Sequence, residues 1–185
     1  MTETEWKWLI VPGIVVTVVA YRMLTARHER LRRAWFDDVA KALKATPEHS
    51  KEQGSRCITT RDGRTFEITH GYTSERLGSD YSPGWAFRIA TKLDGVSDIY
   101  SISFRRKRGG ELETRLFGFE PRPGWDTSAL RRAIMTLFES ASRRDTVDLE
   151  GGALRFRSYS RPDGEAVRRI IAAQTLAAGD VQRAL

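Results

Sequence analysis

The sequence predicts an α+β fold: an antiparallel meander sheet of about seven strands with two helices on one face, preceded by an N-terminal transmembrane helix and a juxtamembrane amphipathic helix. Three observations predict it: an uncharged apolar run near the amino terminus, short runs of alternating polarity separated by turn residues, and two later stretches of helical periodicity. The chain has 185 residues, 40% hydrophobic and 30% charged, which indicates one globular domain with an appendage and excludes a largely disordered protein.

Residues 1–24 are predicted to anchor the chain in a membrane. No residue from Trp8 to Tyr21 is charged, and a helix from Trp6 to Leu24, at about 1.5 Å per residue, nearly crosses a hydrocarbon layer of about 30 Å. The acidic start and the absence of a clean cleavage site argue against a removed signal peptide. A membrane-lying or re-entrant helix and a buried helix are the alternatives. The predicted anchor residues are Trp6, Trp8, Leu9, Ile10, Val11, Ile14, Val15, Val16, Val18, Val19 and Tyr21.

The distribution of charge predicts the orientation of this anchor. Residues 1–24 carry no net charge, residues 25–46 carry six positive and three negative side chains, and residues 47–185 carry 23 and 19. Because the arginines crowd the carboxyl side of the apolar run, the positive-inside rule places the domain in the cytoplasm and the amino terminus outside, at a bacterial inner (plasma) membrane. The single cysteine agrees with a reducing compartment.

Residues 25–46 are predicted to form the amphipathic helix, with Leu31, Trp35, Val39 and Leu43 on one apolar face. Its first half is basic, which predicts contact with anionic lipid headgroups, and a second basic run at a predicted hairpin tip could touch the same surface. The alternative is that the apolar stripe packs on the domain and the arginines only set topology. The predicted lipid-contact residues are Arg27, Arg30, Arg32, Arg33, Arg105, Arg106, Lys107 and Arg108.

The remainder divides into a polar linker, residues 47–54, and an α+β domain, residues 55–185. Asp62-Gly63, Gly109-Gly110 and Gly151-Gly152 mark hairpin turns between β-prone runs. Helices are expected from about residue 126 and from about Asp163, where the apolar spacing changes to 3.6. Residues 109–134 and 151–171 share a strand, proline turn and helix pattern, which is either a faint repeat or chance similarity.

A search for reaction chemistry finds no phosphate-binding loop, nucleophile elbow, H-E-x-x-H or C-x-x-C motif. The best catalytic candidate is His70, a possible general base beside the polar loop 70–84. Cys57 with three scattered histidines cannot build a tetrahedral zinc site, so no metal and no cofactor are expected, and Cys57 is expected to be buried.

The loop 70–84 is more credible as a partner-binding loop, since Tyr72, Arg76, Tyr81 and Trp85 are residue types enriched at interfaces. An ordinary exposed loop, with Trp85 in the core, is the alternative.

Nucleic-acid binding is a weaker hypothesis because acidic residues interleave with the basic clusters. The sequence therefore predicts a single-pass membrane protein with a cytoplasmic, non-enzymatic interaction domain and an unknown protein partner, without nucleic acid or small-molecule ligand. A membrane-tethered enzyme using His70 is the second hypothesis.

Overall fold

The computed structural model describes residues 3–50, 52–73, 76–77, 80–81, 84–94, 101–106, 112–117, 127–139 and 145–184. The chain divides into two compact units, residues 1–35 and residues 36–185. The helices are α1 (Glu3–Ala42), α2 (Thr127–Glu139) and α3 (Gly164–Ala184). The strands are β1 (Glu48–Ser50), β2 (Gly54–Arg61), β3 (Arg64–Thr73), β4 (Arg76–Leu77), β5 (Asp80–Tyr81), β6 (Gly84–Lys92), β7 (Ser101–Arg106), β8 (Leu112–Phe117), β9 (Thr146–Glu150) and β10 (Ala153–Ser158).

The first unit consists of helix α1 up to residue 35, so the two predicted N-terminal helices are one continuous helix. Its large apolar side chains from Ile14 to Leu31 are exposed. The predicted stripe residue Trp35 is partly buried. Among the described residues no helix is both long enough and apolar enough to cross a membrane, so the predicted transmembrane helix is not supported. The side chains of Trp6, Trp8, Leu9, Ile10 and Val11 lie outside the description.

The second unit confirms the α+β class and the antiparallel sheet. The sheet has the order β1-β2-β3-β6-β10-β9-β7-β8, in which seven strands have five or more residues and β1 is a three-residue edge. Strands β4 and β5 form a separate two-stranded hairpin. The sheet is not the predicted meander, because the β9–β10 hairpin lies between β6 and β7. Strand periodicity alone does not specify which strands are neighbours, and the later hairpin takes the centre of the sheet.

Two ββα segments face each other in this sheet. The β7–β8 hairpin is followed by α2, the β9–β10 hairpin by α3, and β7 pairs with β9 at the middle of the order β8-β7-β9-β10. Helices α2 and α3 pack against each other. The arrangement has approximate twofold symmetry about the β7–β9 pair. The similar stretches 109–134 and 151–171 contain the corresponding elements β8 and α2, and β10 and α3, while residues 107–111 and 118–126 lie outside the described residues.

The hydrophobic core lies between the helices and one face of the sheet. One row of buried apolar side chains runs across six strands in register and consists of Cys57, Ile68, Ile89, Phe156, Val147 and Phe104. Helix α3 covers this face with Val167, Ile170 and Ile171, and α2 contributes Ile134 and Leu137. Burial of Cys57 agrees with the prediction that it is a small hydrophobic side chain.

The end of α1 is fixed against the sheet and against α3. Phe36, Val39 and Ala40 are fully buried. The helix stops at Ala42 because Lys44 takes a positive φ of 54° and the Ala45 N–H bonds the Ala40 carbonyl at 2.9 Å. The stretch 47–54, expected to be a linker, contains strand β1, which pairs with β2. The ordered sheet therefore begins before residue 55.

Helix α3 begins where Asp163 accepts the Ala166 N–H at 2.7 Å through its carboxylate. A Cβ at the next residue, Gly164, would lie 2.4 Å from the Cβ of Ala42. Glycine is thus required where the start of α3 meets the end of α1. This contact brings the carboxyl-terminal turns of α1 to the same face of the sheet as α3.

Candidate functional site

The first candidate site is an exposed aromatic patch at the ends of β3 and β6. Tyr72 and Trp85 are opposite each other in register, with ring centroids 6.3 Å apart, and are 61% and 38% exposed. His70 lies beneath them, 5.2 Å from the Trp85 ring and only 3% exposed. Two of the four predicted partner-binding residues therefore form a real surface patch, and Trp85 is not a core residue.

The other two predicted partner-binding residues lie in the β4–β5 hairpin, where Arg76 pairs in register with Tyr81. Their side chains lie outside the described residues. Burial of His70 between its strand neighbours and Trp85 leaves little surface for contact with a substrate. The buried His70 ring packs against Trp85 and so supports the aromatic patch.

The predicted lipid-contact residues fall into two groups. In α1, Arg27 and Arg30 are exposed, whereas Arg32 and Arg33 are partly buried and Arg33 forms an ion pair with Glu29. Arg105 is exposed near the end of β7. The side chain of Arg106, together with Lys107 and Arg108, lies outside the description.

A second candidate site was not predicted: a chain of hydrogen bonds linking Asp37, His49 and Ser55. The Ser55 hydroxyl lies 2.8 Å from His49 Nδ1, and Asp37 Oδ1 lies 2.9 Å from His49 Nε2. The residues come from the end of α1, from β1 and from β2, and His49 and Ser55 are directly paired in register. We call this group the Asp37–His49–Ser55 relay.

The local fold holds this relay in place. Phe36 packs edge-on against the His49 ring at a centroid distance of 6.3 Å. A Cβ at Gly54, whose φ is +84°, would lie 2.2 Å from the His70 carbonyl oxygen, so glycine permits the close approach of β2 and β3 beside Ser55. No sequence motif predicts the relay, because Asp37 is 12 residues from His49 on another element.

A third cluster, built around Asp148 and Arg157, lies on the sheet face opposite to the helices. Both residues are buried, with Arg157 Nη2 3.7 Å from Asp148 Oδ2. Burial raises the pKa of Asp148, while the Ser103 hydroxyl and the Arg157 guanidinium oppose that rise. Arg157 is directly opposite Arg88 on β6, so two guanidinium groups occupy neighbouring register positions.

This opposite face carries both signs of charge. Ion pairs join Arg56 to Glu67 at 2.7 Å and Arg155 to Glu150 at 2.8 Å. Such pairing indicates a mixed-charge surface rather than a continuous cationic one.

Among the described residues we find neither a metal site nor a reactive thiol. No group of three or more potential ligands lies close enough together there to hold a metal ion. Burial raises the pKa of the Cys57 thiol to about 11, which makes it a poor nucleophile near neutral pH.

The comparisons with known proteins give no relative for this chain. No protein-family model matches it, and no curated protein and no solved structure shows significant similarity.

Proposed function

We propose that this protein is an interaction module attached to a membrane, in which the apolar part of α1 provides attachment and the α+β unit contacts a protein partner. One observation carries the proposal: the large apolar side chains of residues 14–24 are between 47% and 69% exposed. At 100° per residue they surround the helix rather than forming one stripe. A helix that is apolar all round is stable in an apolar environment and not in water. The residues are Ile14, Val15, Val16, Val18, Val19, Tyr21, Met23 and Leu24.

The free energy gained by burying these apolar side chains favours attachment to a membrane. Full burial of one such side chain contributes about 1.5–3 kcal/mol, so covering the half that is exposed contributes roughly 1 kcal/mol for each of them. The whole segment therefore offers on the order of 8 kcal/mol, more than the binding of a single myristoyl chain, which is about 5 kcal/mol.

The basic residues that follow support a preference for anionic lipid. Each exposed arginine near such a surface contributes about 1 kcal/mol. Arg27 and Arg30 are exposed and suited to this role, whereas the ion pair with Glu29 reduces what Arg33 contributes. The cytoplasmic location of the α+β unit, expected from the positions of these arginines, stays a prediction.

The Tyr72–Trp85 patch is the proposed contact for the protein partner. Exposed, rigid aromatic side chains lose little conformational entropy on binding and bury large areas. The Trp85 ring packs against the buried His70 ring and Tyr72 meets Trp85 edge-on, and these contacts restrict the orientation of both aromatic side chains before a partner binds. Nucleic-acid binding is disfavoured by the ion-paired arginines of the sheet face opposite to the helices.

Vesicle flotation of the full chain tests the attachment. We expect the protein to float with phosphatidylcholine vesicles containing about 30% phosphatidylglycerol, and less with pure phosphatidylcholine. The double variant Val15→Asp, Val18→Asp is expected to stay at the bottom of the gradient, because charges in the apolar segment oppose its burial. Leu176→Asp is the matched control, since Leu176 is a similarly exposed apolar residue on α3. Equal flotation of all three proteins would overturn the proposal.

A further inference from the structure

We infer that the Asp37–His49–Ser55 relay activates Ser55 as a nucleophile toward small, reactive carboxylic esters. This activity goes beyond the proposed membrane interaction and does not depend on it. A serine bonded to a histidine, which is bonded in turn to a carboxylate, is the arrangement that raises the nucleophilicity of a hydroxyl group.

The hydrogen-bond directions are consistent with this role. A carboxylate only accepts hydrogen bonds, so Asp37 selects the imidazole tautomer with its proton on Nε2. The lone pair on Nδ1 then faces the Ser55 hydroxyl at 2.8 Å, which donates its proton toward it. His49 is therefore oriented as a general base, and Asp37 acts as a positioning residue.

Burial and packing make this orientation stable. Ser55 is 7% exposed and held in β2, while His49 keeps a partly exposed ring beside Phe36. The relay lies at the β1 edge, beyond which no further strand is found among the described residues. Its limited exposure restricts reaction to small acyl groups.

The step is an acyl transfer. The Ser55 oxygen forms a bond to the ester carbonyl carbon as its proton moves to His49 Nδ1, and the carbonyl π electrons move to oxygen. Collapse of this intermediate breaks the bond to the leaving alcohol, which takes the proton from Nδ1. Water attacks the acyl-serine, again transferring a proton through Nδ1, and releases the carboxylic acid. No donor group for the developing oxyanion is identified among the described residues, which is why the proposed substrates are activated esters.

The test uses the full chain with p-nitrophenyl acetate and with a small fluorophosphonate probe, followed by mass spectrometry of the labelled peptide. We expect phosphonylation at Ser55 and a burst of p-nitrophenolate. His49→Gln should reduce the labelling rate by about 10²- to 10⁴-fold, the usual contribution of a general base.

Three further variants separate catalysis from structure. Asp37→Glu, which keeps a carboxylate, should retain more of the rate than Asp37→Asn. Ser50→Ala is the matched control, because Ser50 lies on the same hairpin and bonds backbone N–H groups rather than a histidine. Labelling spread over exposed serines, or a Ser55 rate unchanged in a folded His49→Gln variant, overturns the inference. Each protein is checked by its thermal transition, and flotation is unaffected in either case.

Discussion

Gln174 on α3 is expected to be one of the most sensitive single positions for stability. Its side chain is fully buried, and its Nε2 donates to the Leu154 carbonyl at 2.7 Å and to the Ile89 carbonyl at 3.2 Å. These carbonyls belong to the neighbouring central strands β10 and β6. One amide group therefore joins the helix to two strands at the middle of the sheet.

The cost of removing this amide follows from the two bonds and the space it fills. Each hydrogen bond contributes about 1 kcal/mol, and truncation of a buried side chain adds about 1–2 kcal/mol for the cavity. Gln174→Ala should thus lower the free energy of unfolding by about 3–4 kcal/mol. Gln174→Leu keeps most of the volume and should lower it by about 2 kcal/mol.

Urea denaturation followed by circular dichroism measures both values, and the slope of free energy against denaturant should stay constant. Gln182→Ala is the control: it lies on the same helix and donates to the exposed Asp94 carbonyl at 3.2 Å. It should cost less than about 1 kcal/mol. A Gln174→Leu variant as stable as the unchanged protein would contradict this prediction, since the two bonds would then contribute nothing.

Three further predictions concern the same unit. Burial raises the folded-state pKa of Asp148 above its ordinary value of 3.8, so ionisation of this carboxyl destabilises the fold. The free energy of unfolding, measured relative to Asp148→Asn, should therefore rise as pH falls from neutral toward 4. Urea titrations that give the same difference across this pH range would contradict the prediction. Gly54→Ala should lower the stability of the protein more than Gly63→Ala does. Both glycines have positive φ, but only Gly54 has a backbone oxygen 2.2 Å from the added Cβ. Equal melting temperatures for the two variants would refute this prediction. With a thiol pKa of about 11, Cys57 should react with iodoacetamide at pH 7.5 at least tenfold more slowly in the folded than in the urea-unfolded protein.

Much of the second unit could be predicted because its pattern is local. The alternation of Phe87, Ile89 and Thr91 specifies a strand, and the pair Asp62-Gly63 specifies a tight turn, whatever the rest of the chain does. The sheet order is a non-local property. The sequence does not show that β10 pairs with β6, because that choice depends on how two hairpins and their helices fit together.

The two candidate sites also differ in how far local sequence patterns predict them. Residue type and loop position predict that Tyr72 and Trp85 contact a partner, and the β3–β6 register brings the two side chains together on an exposed patch, but the partner contact stays a prediction. The Asp37–His49–Ser55 relay depends on where α1 ends relative to β1, which no short motif encodes. For the amino terminus, the apolar run predicts a transmembrane helix, which is not supported, since no described helix is long and apolar enough to cross a membrane. Helical periodicity does not by itself determine what surrounds a helix.

The most direct test of the proposed membrane attachment is alkaline carbonate extraction of cells producing the full chain. We expect the protein to stay in the membrane pellet, the Val15→Asp, Val18→Asp variant to be released, and the Leu176→Asp variant to be retained. Release of the unchanged protein into the supernatant would contradict the account, because the exposed apolar segment would then be covered by something other than lipid.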